Sequence, residues 1–203
     1  MEPQGVTGRV NQKMRTRAAI LGAASELMLT GGDVSMRRIA DAALVSEATA
    51  YRYFPDLASI LQAAMAEHLP NPADALAPIA ESTDPVERVA AATEFMLRLV
   101  LQRQGAVRAM IAATITRPAA VAARPFLRFG LIEYALAPVS GAPAGADSDA
   151  LGRLKQDLAV VVSAEALFNL IDLCHLDPDQ AVASAVHTAT ILTRAALDEA
   201  GAA

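Results

Sequence analysis

Tryptophan is missing from the 203-residue sequence, and the other aromatics amount to three tyrosines and five phenylalanines. There is no Asn-Gly or Asp-Gly pair, the strongest short-range hairpin signal, which argues against a β-rich fold. Cys174 is the only cysteine, so an intramolecular disulfide framework is excluded and a reducing cytoplasm is the expected setting. No uncharged apolar run reaches the roughly 18 residues that a membrane-spanning helix needs. The polar N-terminus lacks the apolar core of a signal peptide, which argues against secretion. His68, His175 and His187 stand apart with no HExxH or CxxC partners, and neither GxSxG, the Walker pattern nor GxGxxG occurs. No metal or cofactor is expected, and an all-helical enzyme would lack any visible nucleophile–base pair. Cys174 and His175 are neighbours in sequence, about 100° apart if helical. The simplest reading of the pair is a buried thiol beside a helix-end histidine.

The sequence does have an apolar majority, 54% against 19% charged residues, which is enough for a substantial core and excludes disorder. Alanine, leucine and glutamate point to an all-α chain. The net charge of −5 disfavours nucleic acid at first sight, yet its distribution is uneven. Residues 1–54 hold Arg9, Lys13, Arg15, Arg17, Arg37, Arg38 and Arg52 against five acids, a net of +2. The remaining residues carry −7. A mildly basic head on an acidic body is a sign asymmetry that suggests different partners.

Residues 1–8 show no periodicity and read as a frayed tail. From Met14 to Thr30, Ile20, Leu21, Ala24, Leu27 and Met28 follow amphipathic helical spacing, and Gly31-Gly32 supplies a left-handed stop. Ser35 caps a second short helix with Ile39, Ala40 and Ala43 inside. Ser46 caps a third that must end before Pro55. Asp56 opens a fourth helix running to about His68. The proline-punctuated stretch 69–78 is a connection near which a domain boundary is expected. Beyond it, helices are expected over 85–104, 106–116, about 125–137, about 150–175 and 179–200, with 137–149 a loop.

The second and third short helices, tightly linked, outline a helix-turn-helix, in which the second member enters the major groove. With Ala50 and Phe54 inward, Ala48, Thr49, Tyr51 and Arg52 fall on the opposite arc. Their hydroxyl, phenol and guanidinium suit phosphate oxygens and base edges. Ordinary amphipathic packing of the tyrosines, with Arg52 snorkelling, is the competing reading. The segments "AAILGAASELMLTGG", "SMRRIADAALVSEATAYRYFPD" and "SILQAAM" occur within residues 14–65. In order and spacing they resemble the TetR (tetracycline-repressor-like) family of bacterial transcriptional regulators.

The resemblance implies that Arg37 and Thr49 reach base edges or the groove and that Tyr51 holds a phosphate. By the same resemblance Ser35 and Ser46 cap near the backbone, Arg52 and Tyr53 flank the groove, and Arg15 and Arg17 lie near phosphate. Glu47 and Ala48 complete the candidate DNA-binding turn. Three positions depart from the family pattern. Leu44 stands where glycine is usual. A left-handed leucine would cost roughly 1–2 kcal/mol, so another turn geometry is expected. Ala48 replaces a frequent glycine, and Leu57 replaces a phosphate-binding lysine, which predicts a shallower salt dependence.

Beyond residue 70 the resemblance is architectural and implies an effector pocket for a small, largely apolar molecule. Candidate lining residues are Met96, Val100, Met110, Thr114, Phe126, Phe129, Tyr134 and Phe168, positions whose spacing equally suits plain core. Ser163 and Ser184 read as packing residues. In the last two helices, Leu154, Leu158, Val161, Leu170, Thr188, Ile191, Leu192 and Ala195 keep a 3–4 spacing expected of a homodimer seam. An intramolecular bundle is the competing arrangement. The expected chain is thus all-α, with a three-helix helix-turn-helix domain over 1–56 and a helical effector-binding and dimerisation domain over 57–203. Its expected partners are double-stranded operator DNA, a small-molecule effector and a second copy, without a membrane. A helical interaction module that has lost DNA binding is the alternative, and an enzyme a more distant one.

Overall fold

The computed structural model describes residues 4–30, 32–66, 68–116, 126–140 and 148–202. Among these every regular element is helical and none is a strand: α1 (Gln4–Leu29), α2 (Met36–Ala42), α3 (Glu47–Tyr53), α4 (Leu57–Ala66), α5 (Pro72–Ala75), a 3-10 turn (Ala77–Ile79), α6 (Pro85–Gln102), α7 (Gln104–Thr116), α8 (Leu127–Ala135), α9 (Ala137–Ser140), α10 (Ser148–Val161), α11 (Ala164–Asp172) and α12 (Pro178–Ala202). Two compact units result. The first comprises Met1–Leu69 with Gln102–Pro125, and the second Pro70–Leu101 with Phe126–Ala203.

In the first unit the stripe of α1 behaves as its spacing dictates. Ile20, Leu21, Ala24 and Met28 are buried together with Ile39 and Ala40 of α2, Ala50 of α3, and Phe54. Ile60, Leu61, Ala64 and Met65 of α4 and Ala106 and Met110 of α7 close the same core. Each large aliphatic side chain there contributes about 1.5–3 kcal/mol by leaving water, and truncating a fully buried one such as Leu61 to alanine costs about 2–5 kcal/mol. Because α4 and α7 are apolar toward α1, they fold with the N-terminal helices, and the packing units do not follow a division at residue 56. Asp56 starts α4 by accepting from the Ser59 amide at 2.8 Å.

Helix α1 begins at Gln4, well before the expected start at Met14. Periodicity marks only the buried part of a helix, and residues 4–13 extend the ladder beyond it. Of the expected Gly31-Gly32 stop, Gly31 lies outside the described residues, as do 1–3, Pro125 and most of the 137–149 loop. Within that loop, 137–140 form the short α9.

The second unit has its own core, formed by Leu76, Val89, Ala92, Leu131, Ile132, Ala135, Leu136, Leu154, Leu158, Val162 and Ala189. The single helix expected over 150–175 is two. Ser163 adopts an extended conformation (φ −136°, ψ 150°), and its hydroxyl caps α11 by accepting from the Ala166 amide at 3.0 Å. The preceding Val160-Val161-Val162 run favours the break, since β-branched residues lose rotamer freedom in a helix. Cys174 is exposed and lies after the end of α11, so the buried thiol expected from sequence is not found. His175 beside it takes a left-handed φ of 57° in the connection to α12.

The least expected feature of this unit is Arg88, only 4% exposed. Its guanidinium donates to the carbonyls of Ser82 (3.1 Å), Tyr134 (2.8 Å) and Ala135 (3.0 Å) and lies over the Tyr134 ring at 5.0 Å. The last two carbonyls end α8, where orphan acceptors and the negative pole of the helix both favour a cation.

Candidate nucleic-acid interface

Helices α2 and α3 are seven residues each, too short to persist alone, and both are held by serine caps. The Ser35 hydroxyl accepts from the Arg38 amide at 3.3 Å. That of Ser46 accepts from the Thr49 amide at 3.2 Å and lies 2.8 Å from the Thr49 hydroxyl. Each cap is worth about 1 kcal/mol.

Between them the chain reverses through paired bonds. The Val45 amide donates to the Ala40 carbonyl at 3.0 Å and the Leu44 amide to that of Asp41 at 3.1 Å. This is the Schellman closure, which places Leu44 at the left-handed position. Its φ is indeed 56°. The turn therefore keeps the geometry that glycine would favour, contrary to the alternative geometry expected for leucine, because two backbone bonds and the burial of Ile39 and Ala40 hold it there.

On α3 Ala50, and just after it Phe54, face the core, and Glu47, Ala48, Tyr51 and Arg52 are exposed, as the helical arc requires. Thr49 departs from that arc: it is half-buried and its hydroxyl is shared with Ser46. Tyr53 is also half-buried, packed against the core, with the Arg52 guanidinium 5.6 Å from its ring centroid. On α2, Arg37 is 81% exposed and 4.0 Å from Asp41, a surface pair too weak to hold it. Arg38 instead donates to the Asp33 carbonyl, which braces the entry to α2.

From α1, Arg15 donates to the Asn11 carbonyl at 3.4 Å. Arg17 is exposed but stacks on Phe54 at 5.1 Å, tying α1 to the end of α3. Sequence reasoning gave no role to Gln12, Lys13 and Thr16. These three form one wall of a groove of about 580 Å³ whose other wall is Val45, Thr49, Arg52 and Tyr53. The helical continuation of α1 before Met14 brings Gln12 and Lys13 there, and the apolar spacing carried no signal of it. Leu57 opens α4 half-buried against the first core.

A family model described as "Bacterial regulatory proteins, tetR family" matches residues 20–64, the segment that builds these helices. Over these residues the chain is similar to the tetR family of bacterial regulatory proteins. The chain is also similar in fold to the crystal structure of a TetR transcriptional regulator from Rhodococcus sp. RHA1. The TM-score is 0.54 at 22% identity, covering 89% of this chain and 97% of that one. No curated protein matches the sequence. Among the described residues, no group of three or more His, Cys, Asp or Glu could hold a metal ion, and no helix is long and apolar enough to cross a membrane.

The remaining candidate residues are scattered more widely. Met110 and Thr114 are buried in the first unit, while Met96, Val100, Phe126, Phe129, Tyr134 and Phe168 belong to the second. Val100 and Phe168 are buried and Met96 and Tyr134 half-buried. Phe126 is 70% exposed, its ring 6.2 Å from that of the exposed Phe129, because α8 turns Leu131, Ile132 and Ala135 inward instead. Of the expected dimer seam, Leu154 and Leu158 belong to the core of their own unit and expose almost nothing to a partner. Val161, Leu170 and Leu192 are half-buried, and Thr188, Ile191 and Ala195 are exposed.

Proposed function

We propose that the protein is a cytoplasmic repressor of the TetR family that binds a pseudo-palindromic operator as a homodimer and leaves it when a small, largely apolar molecule binds its helical body. Operator contacts come from within residues 1–56, and effector binding and dimerisation from 57–203. The observation that carries this reading is the pair of serine-capped helices over one core, which leaves Arg37, Ala48, Tyr51 and Arg52 exposed. Arg37 is assigned a base edge, and Tyr51, Arg15 and Arg17 phosphate positions, with Ser35, Ser46, Glu47, Thr49, Arg52 and Tyr53 completing the contact face.

The exposed column Thr188, Ile191 and Ala195 on α12 supports a two-fold seam, with Val161, Leu170 and Leu192 at its margins. The apolar side chains of Met96, Val100, Tyr134 and Phe168 support an apolar effector. Release requires the effector to favour a state that binds DNA poorly, so effector and operator weaken each other equally. Selection from a random-sequence duplex pool by the full chain tests the reading. An inverted repeat with half-sites about one helical turn apart is expected, and recovery of no preferred sequence would refute operator recognition.

A further inference from the structure

Leu44 combines two costs that its own side chain does not repay in the free chain. Its backbone is left-handed, at φ 56°, where a branched side chain is disfavoured and glycine is not. Its side chain is 92% exposed, the most exposed large apolar residue described, and contributes nothing to the first core. The fold needs only the backbone conformation at this position, since the turn is closed by the amides of Leu44 and Val45 and not by the isobutyl group. A strained conformation bearing a fully solvated apolar group is accounted for if another surface covers it in the working state. The position identifies that surface. Leu44 lies two residues before Ser46, the cap of α3, and the next two residues, Glu47 and Ala48, are exposed at the helix end that enters the groove.

We propose that Leu44 is itself a DNA-contacting residue, its isobutyl group packing on an apolar part of the operator beside the N-terminus of α3. The shared chemistry is an aliphatic contact, supplied either by a deoxyribose face or by a thymine methyl group in the major groove. The proposal rests on operator binding by α2 and α3. It adds a contact that carries no charge and is therefore insensitive to salt.

The test uses the full chain and a duplex enriched from a random pool by the wild-type protein. Leu44→Gly and Leu44→Asn both suit a left-handed residue, so each should melt about 2–4 °C higher than wild type. Each should nevertheless bind the duplex about tenfold more weakly, at a slope against salt that does not change. Leu44→Met keeps an apolar group and should retain most of the affinity. Replacing each operator thymine in turn by uracil separates the two sources. One position per half-site that matters to wild type and not to Leu44→Asn identifies a methyl contact, and no such position identifies the sugar. Wild-type affinity in both Leu44→Gly and Leu44→Asn overturns the proposal. So does a loss confined to Leu44→Gly, which would report a loosened turn. A wild-type chain that enriches no duplex would instead defeat the operator reading and the Leu44 contact with it.

Discussion

Replacing Ile191 by aspartate should separate the proposed dimer without unfolding either copy. Ile191 is 48% exposed within the chain, so a partner can bury about half an isoleucine, worth about 1 kcal/mol. A two-fold seam uses every residue twice, which doubles the figure to about 2 kcal/mol per dimer. Aspartate forfeits that contribution and brings two carboxylates into an apolar seam, each desolvated and without a partner, at a further cost of at least about 1–3 kcal/mol per group. The total is about 4 kcal/mol or more, roughly a thousandfold in the dissociation constant. Leu158→Asp is the contrasting variant. Leu158 is fully buried among Leu131, Leu154 and Ala189, so a charge there should unfold the second unit instead of dissociating it. Light scattering and operator titration at one protein concentration, with circular dichroism as the control for folding, read all of this. Ile191→Asp should be folded, monomeric and weak on the operator, because a monomer makes only half of the contacts. A folded Ile191→Asp that remains dimeric moves the interface elsewhere, and a monomer that binds undiminished refutes the two-fold mechanism.

Leu57→Lys should strengthen operator binding and steepen its logarithmic salt dependence by about one phosphate contact; an unchanged slope would mean that the start of α4 does not face the DNA backbone. Arg88→Met should destabilise the second unit by about 3–5 kcal/mol in denaturant unfolding, since three carbonyls lose their donor, whereas a loss below about 1 kcal/mol would show that they find other partners. Ser46→Ala should cost about 1 kcal/mol of stability and weaken operator binding, because the Thr49 amide and hydroxyl both lose their partner at the start of α3; equal affinity would show that the cap is dispensable on DNA.

Most of the first unit was legible in the sequence because local rules dominate it. The stripe of α1, the serine caps of α2 and α3, and the inward Ala50 and Phe54 follow from a 3.6-residue period and the preferences of helix ends. The misreadings arise where non-local packing decides. Leu154 and Leu158 keep a spacing that fits an interface or a core equally well, and the placement of α8 and α12 beside α10 puts them in the core. The break at Ser163 depends on a single extended residue inside an otherwise helical pattern. The burial of Arg88 has no local signal, because it depends on the end of α8 lying against it. Leu44 adopts an unfavourable conformation because its neighbours' hydrogen bonds outweigh its own preference.

The central claim is that the exposed face of α2 and α3 reads DNA. It is tested most directly by the affinity of Arg37→Ala and Tyr51→Phe for the selected duplex and a panel of its single-base variants. Both side chains are exposed, so neither substitution should alter the melting temperature. Arg37→Ala should lose about 1–3 kcal/mol on the selected duplex and become indifferent to the base at one position of each half-site. Tyr51→Phe should weaken every sequence by a similar factor, as loss of a phosphate contact requires. Wild-type affinity and wild-type base preference in both variants would contradict the account.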